Sequence, residues 1–293
     1  MATDKLVKGF RSELSAMDMS LAKKVVLITG GSFGIGRKLA ETVASEKALV
    51  SVCDVNEADG VELEEKLNKE HGEGTAMFMK CDVTDRNAFR DFFQKTKDRF
   101  GRIDVVVNNA GFFDDSDQKW ESMVDVNVKG VITGSLLALE FMGTENGGEG
   151  GTVLNISSVV GFHRMIFMPI YSASKAAVLM FTRNMGDELH FSKNHVKFIA
   201  ICPHGSLGSH FFENTRGRFL YPDGYLEDKF EKCFDVQSFQ SVDHVAQSIA
   251  NVLKVGSNGS IWLIENGEKE KEVNIVDPKI HGVDEQPKSS CSP

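Results

Sequence analysis

Short apolar runs alternate along this chain with longer stretches whose apolar residues recur every three or four positions. The runs fall at 24–29, 49–54, 76–80, 103–107, 152–156, 196–201 and 260–264, and most are rich in Val and Ile. Short, nearly continuous apolar segments of this kind predict strands buried on both faces. The intervening stretches predict helices, among them about 57–71, 86–100, 123–141 and 242–255, with another opening at Pro169. Strict strand–helix alternation implies an α/β fold, a doubly wound parallel sheet of about seven strands with helices on both faces. One domain over 22–265 accommodates it. Residues 1–21 carry mixed charge with weak apolar spacing and read as a leader, either a short amphipathic helix or poorly ordered. Residues 266–293 turn charged and then Pro/Ser-containing, the pattern of a tail. One connection breaks the rhythm. Residues 206–241 hold Phe211, Phe212, Phe219, Tyr221, Tyr225, Phe230, Phe234 and Phe239, and an insert this long and aromatic predicts a substrate lid.

Composition removes several function classes. A net charge of −9 over 293 residues argues against a nucleic-acid surface. No uninterrupted apolar stretch reaches the ~20 residues of a membrane span, and the N-terminus lacks a secretory apolar core. Cys53, Cys81, Cys202, Cys233 and Cys291 are scattered without metal-ligand or disulfide spacing, so a reducing, cytoplasmic setting is expected and no metal. Asn155 opens an N-x-Ser sequon but lies in a predicted buried strand, which discounts glycosylation.

The first strand runs into Gly30, Ser32, Phe33, Gly34, Ile35 and Gly36 and then a helix. Small residues let backbone approach a pyrophosphate, and the helix N-terminus offers unpaired N–H groups and positive potential. The second strand ends on Asp54, placed either to accept hydrogen bonds from adenosine ribose hydroxyls or to cap the next helix. Asp82 and Val83 follow the third strand, where the carboxylate either contacts an adenine or caps its turn. The fourth strand ends in Asn108, Asn109, Ala110 and Gly111, able to line the same crevice. Right-handed crossovers bring these strand ends, with Ser158 and Pro203, to one carboxyl edge.

Between the fifth strand and the helix after Pro169 stand Ser158, Tyr171 and Lys175. A helical Tyr171 and Lys175 project from one face. Free tyrosine has a pKa near ~10, and bringing it to ~7 takes about 4 kcal/mol in favour of phenolate. An ammonium at ~4 Å supplies roughly that at an effective dielectric of ~20. Ser158 is placed to hydrogen-bond a substrate oxygen. The alternative is a surface Tyr and Lys on an ordinary helix, and Asn127 by itself reads as a solvent-facing helical Asn.

Taken together, Thr29 to Gly36, Asp82, Asn108 to Gly111, Asn127, Ser158, Tyr171 and Lys175 resemble, in order and spacing, the short-chain dehydrogenase/reductase family. The residues from Gly150 to Ser158 and from Gly259 to Ile264 are most similar to its hydroxyprostaglandin dehydrogenase and insect alcohol dehydrogenase-like branch. The resemblance implies a Rossmann fold and an oxidoreductase. In it Tyr171 is the general acid/base, Lys175 lowers its pKa and binds the nicotinamide ribose, and Ser158 holds the substrate oxygen. Asn127 anchors a proton-relay water. The family's Pro-Gly pair after the sixth strand is split here into Pro203, His204 and Gly205, which makes Ser209 the hydroxyl substitute for a carboxamide-holding Thr. His204 is either a further titrating group or a plain loop residue. The expected reaction is hydride transfer between NAD and a lipophilic alcohol, the carbonyl partner being a ketone or aldehyde, with substrate contacts from Phe112, Phe113, Met165, Phe211 and Phe212. A substrate carboxylate would call on Arg164. A homodimer or homotetramer is implied, pairing through the helices near 120–141 and 169–190. The rival reading is a ligand-binding or storage protein with weak turnover.

Overall fold

The computed structural model describes residues 20–209, 211, 213, 215–235 and 239–276. The leader, Phe212 and most of the tail lie outside the described residues. Six strands, β1 (Val25–Thr29), β2 (Leu49–Asp54), β3 (Ala76–Lys80), β4 (Val105–Asn108), β5 (Gly151–Ile156) and β6 (Val196–Pro203), join β9 (Ile261–Ile264) in parallel. The order is β10-β9-β6-β5-β4-β1-β2-β3, so the chain reverses direction across the sheet between β1 and β4. That reversal opens the crevice where such sheets bind ligands. The eighth strand, β10 (Lys271–Glu272), is short and antiparallel to β9, so the sheet continues past residue 265. Two short strands, β7 (Ser206–Leu207) and β8 (Gln240–Ser241), pair with each other at the base of the 206–241 connection.

Successive strand residues face opposite sides, which splits the core in two. Val26 and Ile28 pack under helices α1 (Gly34–Ser45) and α8 (Val242–Val255), with Leu39, Val43, Val245 and Ile249. Leu27 faces the other way, onto Phe89, Phe92 and Phe93 of α3 (Arg86–Phe100) and onto Phe141. Each of the large side chains fully removed from water there contributes roughly 1.5–3 kcal/mol. Between these helices, α2 (Glu57–His71) follows β2. After β4 comes α4 (Trp120–Met142), one continuous helix containing a π turn at Asp125–Gly130. Among the described residues it is the one helix long and apolar enough to cross a membrane, with mean hydropathy 1.2 over its best window, but it packs on the sheet. Helices α5 (Pro169–Met185), α6 (Glu188–Asn194) and α7 (Tyr225–Cys233) complete the chain.

A third apolar cluster sits on the carboxyl edge rather than within the sheet. It joins Phe113, Met123, Val160, Phe167, Met168 and Tyr171 to Phe219 and Phe230 of the 206–241 segment. Much of the aromatic content of that connection is thereby spent on roofing the edge.

Candidate active site

The glycine turn leaves β1 where the sheet reverses. Gly30 and Gly34 take φ of 64° and 56°, backbone that side chains adopt only with strain. A Cβ on Gly30 would also stand 2.7 Å from Ala110 Cα, so the β1 and β4 exits touch. Helix α1 then starts at Gly34 with no acidic residue in its first turn and no side-chain cap from Phe33. Its N–H groups and dipole are left for an anion. Asp54 closes the far side, its carboxylate accepting from Ser32 N and Asn56 N, each at 3.0 Å. The following helix is capped by Asn56, not by Asp54. Asp82 accepts from Thr84 N at 2.9 Å and Thr84 Oγ1 at 2.7 Å, so it organises its own turn while also facing the crevice.

One cavity of about 590 Å³ joins these strand ends. Its wall includes Gly30, Phe33, Gly34, Ile35, Asp54, Asp82, Val83, Asn109, Ala110 and Gly111. Ser158, Tyr171, Lys175, Pro203, Gly205 and Ser209 line the same cavity, and so do Phe112, Met165 and Phe211. Three positions named from the sequence stand behind the wall. Ser32 is fully buried and ties the turn to Asn56 O through its hydroxyl at 3.1 Å. Gly36 allows the turn to fold, since a Cβ there would meet Gly30 O at 2.3 Å. Asn127 is the third. It is not solvent-facing: it is fully buried in the π turn, where Oδ1 accepts from Phe112 N at 3.0 Å and Nδ2 donates to Phe112 O at 2.9 Å. Gly111 leaves a gap between Asn127 and Lys175; a Cβ there would stand 3.0 Å from Asn127 Oδ1 and 3.5 Å from Lys175 Nζ.

Tyr171 and Lys175 lie on the buried face of α5, as their spacing predicts. Lys175 Nζ donates to Ile156 O at 3.0 Å and sits 5.6 Å from the centre of the Tyr171 ring. Burial reverses the electrostatics expected from the sequence. Stripping water from a buried phenolate costs up to ~4–7 kcal/mol. Burial therefore wins and pushes the phenol well above its ordinary value, against the hydrogen bond from Ser158 that favours phenolate. Burial lowers Lys175 to about 8, so it titrates close to neutrality. The Ser158 hydroxyl also donates to Pro203 O at 3.4 Å and caps the short turn Val159–Gly161.

The residue between Pro203 and Gly205 is absorbed without disturbing β6. His204 N donates to Ile264 O at 2.8 Å, and Ser209 lies against Gly34. The His204 ring lines the cavity edge-on to Phe239, and burial lowers its pKa, which leaves it neutral at pH 7. The segment 162–168 divides. Met165 and Met168 face the cavity, while Phe162 and Ile166 are exposed and, with His163 and Arg164, line a separate groove. Arg164 is therefore not a cavity cation; Arg218 in the roof takes that place.

Sequence reasoning missed Asp115 altogether. It is one of three acidic residues in the loop 111–119, yet it is fully buried and accepts from Ile170 N at 2.9 Å and Tyr171 N at 2.7 Å. It also missed Arg37, which reaches Ser32 O at 3.5 Å beside Asp54. Neither carries a local pattern, because partners 55 and 56 residues away decide the first and a helix side chain folding back decides the second.

Comparisons with known proteins agree with this geometry. The family model for short chain dehydrogenase matches residues 24–216. The human 15-hydroxyprostaglandin dehydrogenase [NAD(+)] is 38% identical over 185 residues, 63% of this chain and 69% of that protein. Fat body protein 2 of Drosophila melanogaster is 26% identical over 258 residues, 88% of this chain and 96% of its own. Among solved structures, levodione reductase superposes with a TM-score of 0.71 at 26% identity, over 84% of this chain and 98% of that one. A family member from Burkholderia phymatum bound to NAD gives a TM-score of 0.71 at 24% identity, covering 80% and 87%. One from Burkholderia cenocepacia bound to NADP gives 0.69 at 24%, covering 85% and 99%. With the glycine turn, the strand order and the Ser158, Tyr171 and Lys175 constellation on one sheet edge, a match over this much of the chain makes the protein a member of the short-chain dehydrogenase/reductase family of oxidoreductases.

Proposed function

We propose that this protein is an NAD-dependent alcohol dehydrogenase for lipophilic secondary or primary alcohols and their carbonyl counterparts, with Tyr171 as general acid/base. The observation that carries the reading is the shared cavity: the glycine turn, Asp54, Ser158, Tyr171 and Lys175 line it together with the apolar Phe112, Phe113, Met165, Met168 and Phe211. A dinucleotide fits the residues present. The uncapped start of α1 would take the pyrophosphate, Asp54 the adenosine ribose and Ser209 the carboxamide. Bound there, the nicotinamide supplies the hydride chemistry.

Everything else falls to the chain. Ser158 orients the substrate oxygen and Tyr171 exchanges its proton. Because burial keeps the phenol protonated, Tyr171 is poised to donate to a carbonyl oxygen, and oxidation in the other direction rises with pH. Lys175, titrating near 8, holds a proton one helical turn away, next to the Gly111 gap that leads to Asn127. Residues 22–265, with β10 completing the sheet, form the catalytic unit and 206–241 the lid that keeps water out. The buried free thiols Cys53, Cys81 and Cys202 suit a reducing, cytoplasmic setting.

Each fully used apolar contact in such a pocket is worth roughly 1.5–3 kcal/mol per large side-chain equivalent. Ethanol cannot collect it; a terpenoid, retinoid, steroid or fatty-acid-derived alcohol can. The relatives named as hydroxyprostaglandin dehydrogenases point the same way. The test follows the NADH absorbance with alcohols from ethanol to decanol and cyclic lipid alcohols. A rise in kcat/KM with size is expected, and a flat or falling series rejects the apolar pocket.

A further inference from the structure

Helix α5 presents the reacting phenol, so whatever fixes its first turn fixes the chemistry. That turn starts badly. Its N-cap is Met168, which has no side-chain hydrogen bond to give, and Pro169 follows. The missing acceptor comes from a loop more than fifty residues away. Asp115 lays both carboxylate oxygens on the turn, Oδ2 on Ile170 N at 2.9 Å and Oδ1 on Tyr171 N at 2.7 Å. Its own N–H donates to Arg218 O at 2.7 Å, on the lid. Two residues earlier, the Phe113 ring contacts Tyr171 at 5.8 Å, Phe211 at 5.6 Å and Phe219 at 5.2 Å. Asp115 is thus the polar centre of an apolar joint between the catalytic helix and its roof.

We propose that Asp115 is a positioning residue for the general acid/base: it fixes the backbone under Tyr171 and, through its negative charge, biases that phenol toward its protonated form. An acidic group placed beside a proton donor does this by repelling the developing phenolate. Among the described residues no cation pairs with its carboxylate. The charged and titratable groups around it are Asp114, Tyr171, Lys175 one turn along α5, and Arg218 on the lid. Asp114 is occupied by Ser116 N and Oγ. Arg218 meets Asp115 through its carbonyl, while its guanidinium donates to Phe211 O at 3.3 Å. The Asp115 carboxyl is itself raised to about 6 by burial, so the charge is present through the neutral and alkaline range where a dehydrogenase works.

The inference rests on Tyr171 being the acid/base, and the experiment separates the two. Decanol oxidation with NAD is followed from pH 6 to 10 for wild type, Asp115→Asn, Asp115→Ser and Tyr171→Phe. Both Asp115 variants keep an acceptor for the helix and lose the charge. Their acid limb of kcat is expected to fall by about 0.5–1 pH unit with KM for NAD little changed. A readout independent of turnover is available, because the chain has three tyrosines and the other two, Tyr221 and Tyr225, are half exposed. Near-ultraviolet titration of phenolate should show the buried tyrosine ionising earlier in Asp115→Asn. If either variant folds and both its kinetic limb and its phenolate titration superimpose on wild type, the proposal is overturned. If Tyr171→Phe retains about a tenth of the activity or more, it is the acid/base assignment that fails.

Discussion

At the scale of single residues, the proposed function gives two side chains opposite electrostatic tasks. In it Tyr171 loses and regains a proton inside a site that penalises its charged form, and Tyr171→Phe is expected to remove nearly all turnover while NADH binding, read by fluorescence, stays within a few-fold. Lys175→Ala is expected to damage both, because the same proposal gives it a cofactor contact as well as its charge. Asp54 is the discriminating group of the same proposal. Facing a 2′-phosphate, its carboxylate costs on the order of 1–4 kcal/mol depending on screening. Arg37 stands close by, but it pairs with Glu62 at 2.8 Å and Glu41 at 3.6 Å. NAD is therefore expected over NADP in kcat/KM, and Asp54→Ala should narrow the ratio at least tenfold by leaving Arg37 to the phosphate. Equal values for both cofactors in the wild type would sink the assignment.

At the scale of elements, the catalytic helix and the π turn show how backbone groups set a site. Asn127 lies in the π turn, on the helix face shared with the buried Met123, Gly130, Val131 and Gly134, where its amide holds both backbone groups of Phe112. Asp115 caps α5 at a cost visible in its stability. Its carboxyl is raised from 3.8 to about 6 in the folded chain, so the folded state holds the proton more tightly than the unfolded one. The stability this gives is fully present below ~4 and is lost as pH rises through 6, on the order of 2–3 kcal/mol. Other carboxylates titrate in the same window, so the difference between wild type and Asp115→Asn isolates the effect. Urea unfolding at pH 4 and pH 7 should show the wild type losing that increment relative to the variant. A constant difference between the two pH values would mean that the carboxyl is not raised.

At the scale of the whole molecule, the outer faces of α4 and α5 leave Leu136 and Met180 about half exposed, beside Ala177. Apolar residues on two long neighbouring helices suit a second copy of the chain better than water. A homodimer or homotetramer is expected by light scattering at micromolar concentration, with Met180→Glu shifting it toward monomer. A wild-type monomer under those conditions rejects the pairing.

The amino-acid sequence by itself determined the parallel sheet, the glycine turn and the Ser158, Tyr171 and Lys175 set. Each rests on local chemistry: apolar period, glycine spacing, or two residues one helical turn apart. Asp54 was legible for the same reason, as a carboxylate at a strand end. The depth of Asn127, the cap from Asp115, the pairing of Arg37 and the outward turn of Phe162 and Arg164 were decided only by the tertiary structure. They depend on groups brought together from distant segments. The protonation of Tyr171 belongs with them, since the balance between a nearby ammonium and lost water is set by burial, and burial is a property of the folded whole.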